Sequence, residues 1–275
     1  MEASWPQSPD HARQLAKSAV ADSYDVVAAM GGDGVAHHVG HTLAGTDTAL
    51  GLIPTGTTNV YARLLAVPEK PVPAARLLAG ENQTVSAPLL SIDGQGTDSQ
   101  LRHHALFAAG FGFDADVVRA AELEPYRKYR FGGIHYARTA IGTLVAEYRN
   151  RRPHSKVRVG GEVTEAVAVL IQFHPVYTYF GRLKLSIAPT PAGTLTVLTM
   201  EALPARRLPR IGAALLRGAD LSRIPGFRVW PVVEEVHIES TPAISGQADG
   251  ELTGPWTEAR ATLRPHSLRV IIPPE

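Results

Sequence analysis

A layered, parallel α/β domain followed by a β-rich second domain is the fold class that this chain of 275 residues predicts. Three observations carry that expectation. Up to about residue 85, short apolar runs alternate with segments of helical periodicity, the pattern of β-loop-α units. Two of those apolar runs end in glycine-rich loops that open a helix. Beyond residue 85 the signals are mainly strands separated by turn residues.

The elements follow in order. Ala12 to Ala21 has apolar Ala12, Leu15, Ala16, Ala19 and Val20 at helical spacing. Asp25 to Met30 is an apolar run that ends at a Gly pair, the form of a buried parallel strand. Val35 to Ala44 predicts a helix closed by Gly45. Ala49 to Pro54 predicts a second buried strand, and Asn59 to Ala66 a helix stopped before Pro68. Ala74 to Ala79 is a last short helix before Gly80. Strands are then expected at Ala87–Ile92, His104–Ala109, Lys156–Val159, Ala166–Phe173 and Leu183–Ile187, and further at Leu195–Met200, Glu234–Glu239 and Arg269–Ile272. Helices are expected near Tyr136–Tyr148 and Pro204–Leu216, and Gly94–Ser99 reads as a hairpin loop. The domains are therefore 1–84 and 85–260, with 261–275 a terminal strand or tail that can return to the first domain.

Composition narrows the function. A formal net charge of +1 gives no support for a general nucleic-acid binder. The absence of cysteine excludes disulfides, thiolate metal sites and thiol nucleophiles. No apolar run is long enough to span a bilayer and the first residues do not read as a signal peptide, so a cytoplasmic location is expected.

The chemistry concentrates in two loops. Gly31-Gly32-Asp33-Gly34 joins a strand to a helix, where glycines let backbone approach an anion and the helix start offers N–H groups. Asp33 would act there through a magnesium ion or by positioning water. Alone, the same four residues describe a tight turn with an Asp N-cap. Thr55-Gly56-Thr57-Thr58-Asn59 also follows a strand and opens a helix, and loops at the carboxyl edge of a parallel sheet share one crevice. Its hydroxyls and amide suit phosphate oxygens or a nucleotide base. Neither loop is a Walker motif. Near the C-terminus, Asp249-Gly250 is by itself a strong hairpin-turn signal.

Together these segments resemble the diacylglycerol kinase catalytic domain and its bacterial lipid-kinase relatives. The resemblance rests on Gly31–Gly34, on Gly51–Arg63, and on Ala109-Gly110-Phe111-Gly112-Phe113-Asp114-Ala115. Pro175-Val176-Tyr177-Thr178-Tyr179-Phe180-Gly181 and Gln247-Ala248-Asp249-Gly250-Glu251 extend it, all in the family's order. It implies a nucleotide-binding α/β domain joined to a β-sandwich-like domain, with ATP and Mg2+ as cofactors. It also implies transfer of the γ-phosphate to a lipid hydroxyl at the membrane surface, at its inner face. Asp249 is implied as the base and Glu251 as its neighbour that orients a metal or raises its basicity. Gly31, Gly32, Asp33, Gly34, Thr55, Gly56, Thr57, Thr58 and Asn59 are implied as the nucleotide site.

The chain departs from the family pattern in places. Val35 stands where the family has threonine, and His38 where a glutamate is usual. Asn59 is followed by Val60, where many diacylglycerol kinases carry an aspartate. Ala192 and Thr196 replace two acidic residues, so the structural magnesium site of some bacterial members is expected to be absent. Family members also begin with a strand and an Asn-Pro phosphate loop not found here, which implies an α/β domain incomplete at its N-terminus. Two alternatives remain beside the lipid kinase: NAD kinase-like activity, and a non-catalytic lipid- or nucleotide-binding protein. A homodimer is among the assemblies left open.

Other features carry less. His37, His38 and His41 fall on one helix and read as a solvated face before a metal site. His103-His104 reads as the start of a strand. Arg127–Phe131 mixes basic and aromatic residues suited to anionic headgroups or to a plain loop. Arg149–Pro153 reads as a helix end, and Ala140, Ile141, Leu144 and Val145 as core.

Overall fold

The computed structural model describes residues 2–123, 139, 142–143, 147–148, 151–203, 205–217 and 220–274. The basic-aromatic segment 127–131 and the apolar residues at 140, 141, 144 and 145 lie outside that set, as does most of the expected helix over 136–148. The chain forms two units, one of residues 1–89 with 264–275, the other of residues 90–263.

The first unit is a mixed α/β layer. Helix α1 (Pro9–Ala21) starts three residues earlier than its apolar spacing suggested. Ser8 caps it, its Oγ accepting from the His11 N–H at 3.1 Å. Strand β1 (Val26–Gly31) runs parallel to β2 (Ala49–Pro54), from Val26 opposite Ala49 to Gly31 opposite Pro54. Helix α2 (Asp33–Leu43) links them. Helices α3 (Val60–Leu64) and α4 (Pro71–Ala79) follow β2, α4 with a proline at its start.

β2 is buried along nearly its whole length, but β1 is not. Its expected burial is corrected: Val26 and Met30 are exposed and Ala29 alone is buried. Among the described residues β1 pairs only with β2, so one side of it has no neighbouring strand to cover it. The histidine face of α2 is likewise not solvated. His37 and His38 are 2% and 7% exposed, and Arg13 of α1 lies 3.1 Å from His38 Nδ1. The His37 and His41 rings stack at 6.2 Å.

The second unit is β-rich and antiparallel. Strand β3 (Gln83–Gly96) begins in the first unit and from Leu90 onward pairs with β4 (Gln100–Ala105), so the expected loop at 94–99 shrinks to a short turn and His103-His104 lie inside a strand. β5 (Ala108–Gly112) is separate from β4, and helix α5 (Phe113–Glu122), which the sequence reading missed, follows it directly. β6 (Ser155–Val159), β7 (Glu162–Ala166), β8 (Ala168–Gln172), β9 (Thr178–Phe180) and β10 (Leu183–Leu185) come next. β11 (Leu195–Met200), helix α6 (Leu208–Arg217), the unexpected β12 (Phe227–Val233), β13 (Glu235–Ala248) and β14 (Glu251–Ile272) complete the chain.

The hydrogen-bonded order in this unit is β13-β5-β8-β11-β12, with β6 and β7 added at the far half of β13. Its core gathers Trp256, Phe111, Ile171, Val197, Ile238 and Ile244, all essentially without exposure. The last residues belong to the first unit: Val270 pairs with Leu50, and the Gly45 N–H donates to the Ser267 carbonyl at 2.8 Å.

Candidate active site

In the first unit, the two glycine loops meet. The Thr55 N–H donates to the Gly31 carbonyl at 2.9 Å, extending the parallel ladder one step past the strands. Beyond it, backbone touches backbone. A Cβ on Gly56 would stand 2.6 Å from the Gly32 Cα and 2.8 Å from Asn59 Oδ1, so only glycine fits. Thr55, Gly56 and Thr57 are exposed and Thr58 half-buried, and Gly31, Gly32 and Gly34 are half-buried beside them.

Asp33 does not cap its own helix. Gly32 is the N-cap of α2 and, as a glycine, supplies no side-chain bond to the first amides of that helix. The Asp33 carboxylate reaches across instead. It accepts from the Val60 N–H at 2.9 Å and the Tyr61 N–H at 3.1 Å, the first two amides of α3. A charge at a helix start and two charge-assisted bonds hold the second loop against the first. Asn59, in the left-handed region at φ 49°, closes that loop on itself. Its Nδ2 donates to the Gly56 carbonyl at 2.9 Å and its Oδ1 accepts from the Gly56 N–H at 3.0 Å. The amide expected to face a ligand is thus spent on shaping the loop. Among the described residues no cluster of three or more His, Asp or Glu side chains could hold a metal. A magnesium ion carried by nucleotide phosphates asks only one or two carboxylates of the protein, and Asp33 fits that smaller demand.

In the second unit, the three downstream motifs converge. Asp249 and Gly250 form the two-residue turn between β13 and β14, with φ 56° and 84°. Both positive values mark a hairpin turn that favours Asp-Gly, so the turn expectation and the site expectation describe the same residues. Asp249 is 5% exposed, and its carboxylate folds back on the β4–β5 connection. Its Oδ2 accepts from the Leu106 N–H at 2.6 Å, and its Oδ1 from the Phe107 and Ala108 N–H groups at 2.9 and 3.2 Å. Glu251 opens β14, half-buried and paired with Ala248.

Asp114, at the start of α5, accepts from the Tyr177 hydroxyl at 2.6 Å and from Gln247 Nε2 at 2.5 Å. A Cβ on Gly110 would stand 2.2 Å from that carboxylate, which explains the glycine four residues earlier. Gln247 Oε1 in turn accepts from the Gly250 N–H at 2.8 Å, tying Asp114 to the turn that carries Asp249. Burial pushes the Asp114 carboxyl above its ordinary value against the pull of Tyr177 and Gln247. Burial and the facing Asp114 push the Tyr177 phenol well up.

In the sequence, Asp114, Tyr177 and Gln247 stand only as marks of the family resemblance. Their shared site had no signal in spacing, because they stand more than 60 residues apart in the chain. Two further clusters were unforeseen. Buried Asp116 binds the Tyr148 hydroxyl at 2.5 Å and Arg151 at 3.3 Å, so Arg151 serves an ion pair in addition to any helix end. On the loop with Ala192, Gln172 Nε2 donates to Thr190 Oγ1 at 2.7 Å and Thr190 donates to buried Thr196 Oγ1 at 2.9 Å.

The profile of the diacylglycerol kinase catalytic domain matches residues 1–89. A diacylglycerol kinase of Mycobacterium tuberculosis is 30% identical over 267 residues, covering 95% of this chain and 81% of the relative. The chain belongs to the diacylglycerol kinase catalytic domain family. A diacylglycerol kinase structure from Bacillus anthracis superimposes with a TM-score of 0.69 at 22% identity, covering 98% of this chain and 84% of that one. The family's kinase fold therefore extends over both units of this chain. No helix among the described residues is long and apolar enough to cross a membrane.

Proposed function

We propose that this member of the family is an ATP-dependent kinase that phosphorylates a hydroxyl of diacylglycerol or a related membrane lipid. The observation that carries the reading is the contact of the two glycine loops, Gly32 against Gly56, beside the start of a helix whose N-cap is itself glycine. A phosphate meeting those loops meets backbone amides and a helix dipole, with no Cβ in its way. In this reading Gly31, Gly32 and Gly34 cradle phosphate oxygens, and the Thr55, Thr57 and Thr58 hydroxyls bind them from the second loop. Magnesium, bound with the nucleotide and steadied by Asp33, would neutralise charge on the transferred group.

Asp249 is assigned as the base. It takes the proton of the acceptor hydroxyl as that oxygen bonds to the γ-phosphorus and the bond to ADP breaks. An ionised carboxylate offers about four lone-pair sites, and three amides occupy three of them. Those three amides fix the direction of the carboxylate. Glu251 is assigned the task of orienting groups around Asp249. A lipid acceptor puts the protein to work at a membrane surface.

The test is transfer of labelled γ-phosphate from ATP to a panel of diacylglycerols and sphingoid bases in mixed micelles. Labelled lipid is expected with magnesium present. Asp249→Asn should lose turnover and keep ATP binding, and an active Asp249→Asn would remove the base assignment. Label on no lipid, with NAD labelled instead, would overturn the lipid reading.

A further inference from the structure

We infer that His174 is a positioning residue for Asp249, acting through the Leu106–Phe107 peptide group. The inference rests on the assignment of Asp249 as the base. His174 lies just before the Pro175–Gly181 motif, in the second unit, as do the other groups involved. Its Nε2 is 3.1 Å from the Leu106 carbonyl oxygen. A carbonyl only accepts, so Nε2 must carry the proton and donate it. Burial pushes the imidazole below its ordinary value, against the pull of Leu106 and Asp249. The ring is thus held neutral, as the Nε2–H tautomer.

The carbonyl that His174 binds belongs to the same peptide group as the Phe107 N–H. That N–H donates to Asp249 Oδ1 at 2.9 Å. One planar amide therefore accepts from the imidazole at one end and donates to the carboxylate at the other. A hydrogen bond at the oxygen polarises the N–H and strengthens the second bond. The same bond anchors a connection between β4 and β5 that has no strand pairing of its own at Leu106 and Phe107. Without it, the Leu106 and Phe107 N–H groups that aim Asp249 lose one support.

The experiment compares His174→Leu, His174→Gln and Asp249→Asn in the full chain. In His174→Gln the side-chain amide nitrogen stands near the place of Nε2 and can donate to Leu106. His174→Leu is expected to lower kcat about fivefold, the worth of one hydrogen bond of about 1 kcal/mol, with KM for ATP unchanged. His174→Gln should recover most of that loss. Independently of activity, the Phe107 amide proton shift is read in 15N-labelled protein: upfield in His174→Leu, restored in His174→Gln. Thermal unfolding checks that the leucine variant folds. If it does not, the glutamine variant decides alone, a retained Phe107 shift supporting the relay and an upfield one overturning it. A folded His174→Leu with wild-type kcat and an unmoved Phe107 shift overturns the inference, as does a glutamine variant that falls with leucine. Wild-type turnover by Asp249→Asn would instead bring down the base assignment itself. An inactive Asp249→Asn beside a fully active His174→Leu would bring down the positioning role alone.

Discussion

Replacing Asp33 by alanine takes away both acceptors at the start of α3. The Val60 and Tyr61 N–H groups, now bonded at 2.9 and 3.1 Å, would have to find water. Hydrogen bonds to a charged group are worth roughly 1.5–3 kcal/mol each when buried. Asp33 is half-buried and its loop is open to water, so solvent recovers much of that, and a total of about 2 kcal/mol is expected. That corresponds to roughly a thirtyfold change in the opening equilibrium around α3. Hydrogen exchange at the Val60 and Tyr61 amides reads it directly, and Asp33→Asn, which keeps one acceptor oxygen, should show about half the free-energy effect. Because Val60 follows Asn59, the displaced helix start also disturbs the Gly56–Asn59 loop. Nucleotide affinity should therefore fall with or without magnesium. Unchanged protection of both amides in Asp33→Ala would refute the clamp. A loss of affinity seen only with magnesium would show that Asp33 matters as a metal partner and not as the cap of α3.

Gly56→Ala should lower nucleotide affinity at least tenfold and stability by about 1–3 kcal/mol, since the new methyl meets the Gly32 backbone, which cannot swing aside. Isothermal titration and denaturant unfolding check both, and a neutral outcome would mean that the loops do not touch in solution. Asp114 supplies a pH prediction. Its folded value is raised by burial, so its contribution is fully present below the unfolded value of about 4 and is lost as pH rises through the raised value. Asp114→Asn removes that titration, and its stability should decline less than wild type as pH rises from about 4. Parallel stability curves would contradict it.

How much of this the sequence made legible depended on the range of the forces involved. Strands buried on both faces declared themselves as unbroken apolar runs: β2 and β11 lie where those runs put them. Strand β1 did not declare its exposure, because a run such as Val26-Val27-Ala28-Ala29 has the same composition whether one or two strands flank it. Helix α5 was hidden because Phe113-Asp114-Ala115-Asp116 follows a glycine-rich strand without a break, and its apolar positions suit either period. The histidines of α2 looked solvated because polarity is visible in sequence while the neighbour that covers it, here α1, is not. At the site, Gly31–Gly34 and Thr55–Asn59 were legible as loops, since glycine at a close approach is a local demand. The Asp33–α3 clamp and the Asp114–Tyr177–Gln247 bonds were not, because they join residues 27 to 133 positions apart.

Asp249-Gly250 shows why the turn and the chemical role need not compete. A two-residue turn with both φ values positive requires residues that tolerate the left-handed region, and Asp followed by Gly meets that need. The same conformation carries the Asp249 backbone N–H to the Ala108 carbonyl at 2.9 Å and its carboxylate to the three amides beside it. Asparagine would tolerate the turn as well, but its amide would set an N–H against the Leu106 or Phe107 N–H. Glutamate would accept the bonds but not the conformation at comparable cost. Only aspartate serves both, which is the physical content of the Asp-Gly-Glu signature at this position. In the proposed reading the turn holds the carboxylate where the base is needed, so a substitution that breaks the turn should cost turnover as well as stability.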